Sequence, residues 1–212
     1  MYLPKHFEQH DPAALHTLMR EHPLATLVTL GADGVTADHI PLHHEPEDRS
    51  DGAPYGTLLG HVARANPIWR TAAGSAVLAV FQGPQVYVTP SWYPSKQAHG
   101  KVVPTWNYTV VHAHGTLQAV EDAPWLRALV GRLTTLHEAP RAQPWSVEDA
   151  PDDYVQQMLR AIVGIRIPVE RLIGKWKVSQ NRDTPDRLGV AEGVADASGA
   201  SAHAMAALVR GG

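Results

Sequence analysis

A mainly β, antiparallel barrel with helices at its periphery is the fold class this sequence predicts. Three observations carry the prediction. Short apolar or alternating runs recur through the first two thirds of the chain. Gly, Pro, Asn and Asp turn signals separate most of them. Helical spacing is confined to the start, one middle connection and the later part, which is not the regular βαβ alternation of a parallel sheet. Closing such a sheet removes edges prone to aggregation.

Taken in order, Asp11-Pro12 opens a helix, with Leu15, Leu18 and Met19 at helical spacing, and His22-Pro23 stops it. The apolar run Ala25 to Leu30 and the run Val35 to Leu42 flank a turn at Gly31–Gly34, which predicts a hairpin. Glu45 to Pro54 is acidic and turn-rich, hence a solvated loop, and Tyr55 to Val62 is a third strand. Asn66-Pro67 predicts a short helix through Trp69 to Ala73. Ser75 to Phe81 and Gln85 to Thr89 read as strands on either side of a Gly83-Pro84 turn, and Pro90 to Gly100 as an ordered loop. Thr105 to His114 and Gly115 to Val120 read as one long strand or two consecutive ones. Asp122 caps a helix with an apolar stripe at Leu126, Leu129, Val130, Leu133 and Leu136, and Ser146 to Asp149 starts another. Ile162 to Ile167 is a strand that Pro168 ends, and Thr184-Pro185 begins a short helix. Gly193 to Ala202 reads as a mobile small-residue spacer and His203 to Val209 as a fraying terminal helix. About seven strands result.

Composition narrows the function. The 212 residues carry 18 Lys plus Arg against 21 Asp plus Glu, a formal net charge of −3, and no Cys. The absence of Cys excludes a disulfide framework, a thiolate nucleophile, an Fe–S cluster and a Cys-type zinc site. No apolar run approaches the length of a membrane span and the first residues lack the apolar core of a secretory signal, so a cytoplasmic protein is expected. The mild acidity provides no global attraction to nucleic acid. The 13 histidines are the compositional excess.

Three segments could carry chemistry. In Gly60 to Pro67 a strand runs into a helix start with Arg64 and Asn66 beside it, a setting that suits phosphate, although a solvated Arg64 and a capping Asn66 would look the same. Trp92 to Tyr108 gathers two Trp, two Tyr, Lys96, His99, Lys101 and Asn107, which suits a planar ligand or a tightly packed loop. Gly174 to Arg182 packs cations, Ser179, Gln180 and Asn181 around Trp176. Between Arg166 and Arg187 six Lys/Arg face Glu170, Asp183 and Asp186, a local excess of +3 that suits an anionic ligand, a nucleic-acid backbone or simply a solvated face. His39 with His43, and His112 with His114, share strand faces. No HExxH-type motif accompanies them, so they read as polar cleft lining and hydrogen-bond donors rather than as a metal site. GxSxG, GxGxxG and Walker A patterns are absent, and no side chain stands out as a catalytic acid or base.

The segments MYLPKHFEQHDPAALHTLMREHPLATLVT, GTLLGHVARANPIW, QVYVTPSWYPSK with HGKVVPTWNYTVVHAHG, and IVGIRIPVERLIGKWKVSQNR resemble the PaiB family of FMN-binding negative transcriptional regulators. The resemblance covers residues 1–193, read as one domain, and leaves 194–212 as a small-residue tail. It implies an antiparallel split β-barrel of the type shared with pyridoxamine-phosphate oxidases and flavin reductases, a homodimer, and FMN as cofactor. Carried over residue by residue, His61, Val62, Arg64 and Asn66 would hold the phosphate, although the family's usual adjacent Arg-Lys pair is here Arg64 alone. Lys96, Lys101 and Lys175 would supplement its charge. His39 and Ile40 would line the isoalloxazine edge. Thr105, Trp106 and Asn107, with Lys175, Trp176, Ser179, Gln180 and Arg182, would come from the closing rim or the partner subunit. His61 and His99 are the histidines most implicated in FMN affinity. The family implies repression, by direct DNA contact or by sensing a small ligand. A flavin-dependent oxidoreductase and a haem-handling protein are the alternative functions.

Overall fold

The computed structural model describes residues 1–32, 34–197 and 199–211. Asp33 of the turn, Ser198 of the spacer and Gly212 of the tail therefore lie outside the described residues. The elements in chain order are β1 (Glu8–Gln9), α1 (Pro12–Glu21), β2 (Leu24–Gly31), β3 (Gly34–Pro41), β4 (His43–Glu45), β5 (Thr57–Ala63), α2 (Ile68–Thr71), β6 (Ala76–Val88), α3 (Ser95–His99), β7 (Thr105–Thr116), β8 (Gln118–Val120), α4 (Ala123–Glu138), α5 (Asp152–Arg160), β9 (Ile162–Lys177), α6 (Thr184–Ala195) and α7 (Ala200–Gly211). The nine strands follow the order β3-β2-β6-β7-β9-β5-β4, with β1 and β8 also paired to β9. All described registers are antiparallel. The hydrogen-bonded path is not closed, so the barrel is of the split type.

Contacts divide the chain into two compact units, Met1–His22 with Phe81–Val111 and Ile173–Gly212, and Pro23–Val80 with His112–Leu172. In the second unit β2 and β3 form the expected hairpin, from Leu24↔Pro41 to Gly31↔Gly34. At the split, β3 lies against β5. Gly60 makes that approach possible, because a Cβ there would sit 2.8 Å from the Pro41 carbonyl oxygen and 2.8 Å from Leu42. Leu126, Val147, Val155 and Leu159 form a satellite core. Asp122 caps α4 by accepting from the Trp125 amide at 2.8 Å. The capping box at Ser146 and Asp149 closes only a 3-10 turn, and α5 starts separately after Pro151.

In the first unit Asp11 caps α1, as expected. One core cluster here joins Val88, Tyr93, Val178, Val190, Val194, Met205 and Val209. Each such apolar side chain contributes about 1.5–3 kcal/mol on burial. This corrects the spacer reading. The small residues of 200–207 make a helix whose Ala202, Met205, Ala206 and Val209 are buried, since small side chains let α6 and α7 approach closely. Gly189 and Gly193, four apart on α6, provide a groove for Trp92: a Cβ on Gly193 would lie 2.4 Å from the indole.

Two further readings are corrected. Gly83-Pro84 does not turn the chain; β6 runs through it for 13 residues. A Cβ at Gly83 would lie 2.3 Å from the Thr109 hydroxyl, so this glycine serves close packing. Pro168 does not end a strand either; β9 continues for 16 residues. Pro168 occupies the last registered pair with β5, opposite Thr57, where a missing amide proton costs the ladder least. A Cβ on Gly115 would lie 2.1 Å from the Pro168 carbonyl oxygen, a backbone atom that cannot swing aside. Gly115→Ala is therefore expected to lower stability by about 1–3 kcal/mol, read as a reduced urea midpoint. An unchanged midpoint would contradict this close strand passage.

Candidate functional site

The predicted site residues fall into two groups, one per unit. In the second unit Ile40 and Val62 are core residues at 4% and 6% exposure. His39 is exposed on β3. The Arg64 guanidinium donates to the carbonyls of Arg160 at 2.8 Å and Ile162 at 3.1 Å and pairs with Glu121. Its charge ties the end of β5 to the start of β9. The Asn66 amide is used at both ends, donating to Asp38 at 2.7 Å and accepting from the Ile68 amide at 3.0 Å. The adjoining α2 has only four residues. His61 lies on β5 with its Nδ1 buried and unpartnered, and burial pushes its pKa below the usual imidazole value.

In the first unit Lys96, His99 and Lys101 are exposed on α3 and just after it. Lys96 reaches Ser91, and His99 Nδ1 accepts from the Lys101 amide at 3.0 Å. The aromatic segment is split in role. Tyr93 is buried and Trp92 fills the α6 groove, so those rings are core. Trp106 is 53% exposed and meets the half-exposed Tyr87 edge-on, with ring centroids 5.9 Å apart.

The end of β9 and the turn after it gather the other members. Lys175 and Lys177 are two apart on one strand face. Lys175 is 7% exposed, donates to the Tyr2 carbonyl at 3.1 Å and lies 5.2 Å from the Tyr108 ring centre. Lys177 donates to Thr105 Oγ1 and to the Trp106 carbonyl at 2.6 Å. Arg182 stacks over Tyr93 at 4.7 Å. None of the three takes part in an ion pair among the described residues. Burial, then the neighbouring Lys175 and Arg182 charges, hold the Lys177 pKa below the usual ammonium value. Three like charges with no acid against them are an arrangement that an anion relieves.

Between these cations Ser179 adopts φ of 67°, the left-handed conformation, the single non-glycine case among the described residues. Its hydroxyl accepts from Asn107 at 2.9 Å, and both residues are buried. The Gln180 side chain closes the turn, accepting from the Val178 amide at 2.8 Å and donating to the Trp176 carbonyl at 2.6 Å. Strained, over-determined backbone beside a charge cluster is a recurrent property of ligand sites. Tyr87 was missing from the sequence-derived set. Lys177 entered it only as one of the cations around Trp176, and its pairing with Lys175 on one strand face follows from β9 running through Pro168.

The strand histidines of the second unit form a separate group. His112 and His114 have ring centroids 6.3 Å apart, and His114 Nδ1 lies 3.1 Å from the Arg171 guanidinium. Burial, with Arg171 adding to it, lowers both pKa values. Among the described residues no group of three or more His, Asp or Glu is placed to hold a metal. Because the folded pKa values of His61, His112 and His114 lie below the ordinary imidazole value of 6.5, the unfolded chain binds more protons as pH falls through that value. Stability is expected to drop between about pH 7 and pH 5, measured by urea titration. His112→Gln with His114→Gln should flatten that slope, and an unchanged slope would contradict the assignment.

Residues 1–171 match the family model described as "Putative FMN-binding domain". An uncharacterised protein of Aspergillus fumigatus is 35% identical over 237 residues, covering 91% of this chain and 90% of its own. Protease synthase and sporulation protein PAI 2 of Bacillus subtilis is 32% identical over 210 residues, covering 99% and 96%. Among solved structures, the flavocytochrome Anf3 of Azotobacter vinelandii matches 82% of this chain and 72% of its own with a TM-score of 0.58. At 10% identity that likeness is one of fold.

Proposed function

The chain belongs to the FMN-binding PaiB family, and from that membership we propose that it is a homodimeric flavin-binding regulator whose β9 terminus receives the FMN phosphate. The observation that carries the phosphate assignment is the cluster of Lys175, Lys177 and Arg182, three cations with no acidic partner among the described residues. Arg64 is a poorer candidate, because two carbonyls and Glu121 already occupy its guanidinium.

FMN supplies electron-transfer chemistry through its isoalloxazine ring. The residues of this chain bind and orient it. Lys177 and Arg182 would meet the phosphate, while Trp106 and Tyr87 offer exposed ring surface beside Lys177. The buried Asn107–Ser179 pair holds the turn that presents these cations.

The regulatory part of the proposal follows from the same electrostatics. Of the six cations between Arg166 and Arg187, Arg166 is held by Asp48 and Gln118, and Arg187 also has partners. Arg171 lies against His114, and the other three, Lys175, Lys177 and Arg182, are those assigned to the phosphate. Regulation through a bound small ligand therefore fits better than broad phosphate contact with DNA. For the dimer, the support is β3, which ends the sheet path and carries Val35 at 72% exposure, with Leu24 and Leu30 of β2 at 60% and 69%. Sedimentation of the Val35→Lys variant should show a monomer, and a wild-type monomer at micromolar concentration would contradict the dimer.

The phosphate assignment is tested by titrating FMN and riboflavin and following flavin fluorescence. Lys177→Met with Arg182→Met should weaken FMN by tenfold or more, about 1.4 kcal/mol, and leave riboflavin within about threefold, because only the phosphate distinguishes the two. Equal losses for both ligands, or none for FMN, would overturn it.

A further inference from the structure

The Lys177 amine has features that phosphate binding does not need. Its Nζ donates to Thr105 Oγ1 and to the Trp106 carbonyl at 2.6 Å. A neutral amine has two N–H donors and one lone pair, so these acceptors use both donors and leave the lone pair over for an electrophile. An ammonium would keep a third donor, and no carboxylate pairs with Lys177 among the described residues. Burial and the Lys175 and Arg182 charges favour the neutral form. A neighbouring cation is a recurrent means of making a lysine nucleophilic. Lys177 and Arg182 are half-buried and keep surface that a small molecule can reach. Lys175, at 7% exposure, contributes its field rather than a contact. The Arg182 guanidinium stacks over the Tyr93 ring at 4.7 Å, and a stacked guanidinium keeps N–H groups at its edge for an anion. An anion-holding arginine beside a neutral amine suits a compound that carries a phosphate and a reactive carbonyl in one molecule.

We propose that Lys177 is an acylation site for acyl phosphates, with Arg182 holding the phosphate and Lys177 Nζ attacking the acyl carbon. The inference rests on the reading of this cluster as a phosphate site and extends it to a second phosphate compound. In the step, a bond forms between Nζ and the acyl carbon, and the bond from that carbon to the phosphate oxygen breaks. The phosphate leaves with the electron pair of the broken bond, and the proton lost by Nζ ends on it. The products are a lysine amide and hydrogen phosphate. The amide nitrogen carries no charge, so the modification removes one of the cations that meet FMN. Flavin occupancy is thereby coupled to the supply of acyl phosphate.

Acetyl phosphate is the probe. Flavin-free protein is incubated with it at about pH 8, and peptide mass spectrometry follows each lysine. Lys177 should be acetylated about tenfold faster than Lys5, Lys96 and Lys101, although those three are the exposed ones. Inorganic phosphate should slow Lys177 and leave those three unchanged. N-hydroxysuccinimidyl acetate serves as an uncharged donor. In Arg182→Met the Lys177 rate with acetyl phosphate, divided by the rate with that donor, should fall about tenfold. The same amine attacks both donors, so the ratio reports the phosphate contact. Should Arg182→Met not fold, competition by inorganic phosphate in the wild-type protein decides the matter. Lys177 acetylated no faster than the exposed lysines, or at a rate that inorganic phosphate leaves untouched, would overturn the proposal. FMN separates this proposal from the flavin assignment: saturating FMN should protect Lys177, and riboflavin should not. Preferential acetylation that FMN leaves intact supports the acylation site and overturns the flavin-phosphate assignment instead. An FMN affinity about tenfold above that of riboflavin, without preferential acetylation, keeps the flavin assignment and overturns this proposal.

Discussion

Everything else in this molecule hangs on the long strand β9. It pairs with β1, β5, β7 and β8, and its residues contribute to both compact units. Backbone hydrogen bonds are the constraint: each amide and carbonyl in a buried strand must find a partner. From Ile162 to Pro168 the β5 ladder meets that need, from Gly164 to Arg166 β8 adds its own pairs, and at Gly174 and Lys175 the short β1 does so. Pro168, which has no amide proton, sits where the β5 register stops. The strand therefore continues past it and delivers Lys175 and Lys177 on one face to its far end.

That delivery has an electrostatic cost. Lys175 is nearly buried, Lys177 is partly so, and Arg182 returns beside them through a turn in which Ser179 is left-handed. Carbonyls and aromatic rings hold the two lysines rather than carboxylates. Neutral acceptors position a cation without cancelling its charge, so its field remains available to a ligand. Arg64 shows the opposite economy: Glu121 cancels its charge, and its other donors fasten two strand ends together. The two sites illustrate why a cation near a strand end is not in itself a phosphate ligand.

Local patterns were legible in the sequence. The Asp11 and Asp122 caps, the β2–β3 hairpin and the Leu126–Leu129 part of the α4 stripe are set within a few residues of one another, and the chain folds there as its neighbours dictate. What was not legible depended on distant partners. Gly83-Pro84 and Pro168 carry turn chemistry, yet strand pairing overrides it. The Ala-rich stretch after Gly199 lacks large side chains, so its burial against α6 leaves little trace in composition. Arg64 read as an available cation because its partners lie 57 to 98 residues away. The segment from Trp92 to Tyr108 left a planar ligand and a tightly packed loop both open, because density of rings does not distinguish a core from a platform, whereas the glycine spacing on α6 does for Trp92. The resemblance to PaiB pointed to flavin chemistry, and the proposed preference for the β9 end over the β5 end as the phosphate site rests on hydrogen-bond accounting.

The central claim is that the uncompensated cations at the end of β9 exist to meet a phosphate. It is tested most directly by following the Lys177 ε-carbon resonance through a pH titration, with and without FMN. In the free protein Lys177 should titrate below the ordinary lysine value of 10.5, because burial and its two cationic neighbours disfavour the charged form. With FMN bound its pKa should rise, since a dianion beside an ammonium favours the protonated state, and riboflavin should leave it unmoved. A Lys177 pKa that is the same in the free and FMN-bound protein, while FMN is demonstrably bound, would contradict the account.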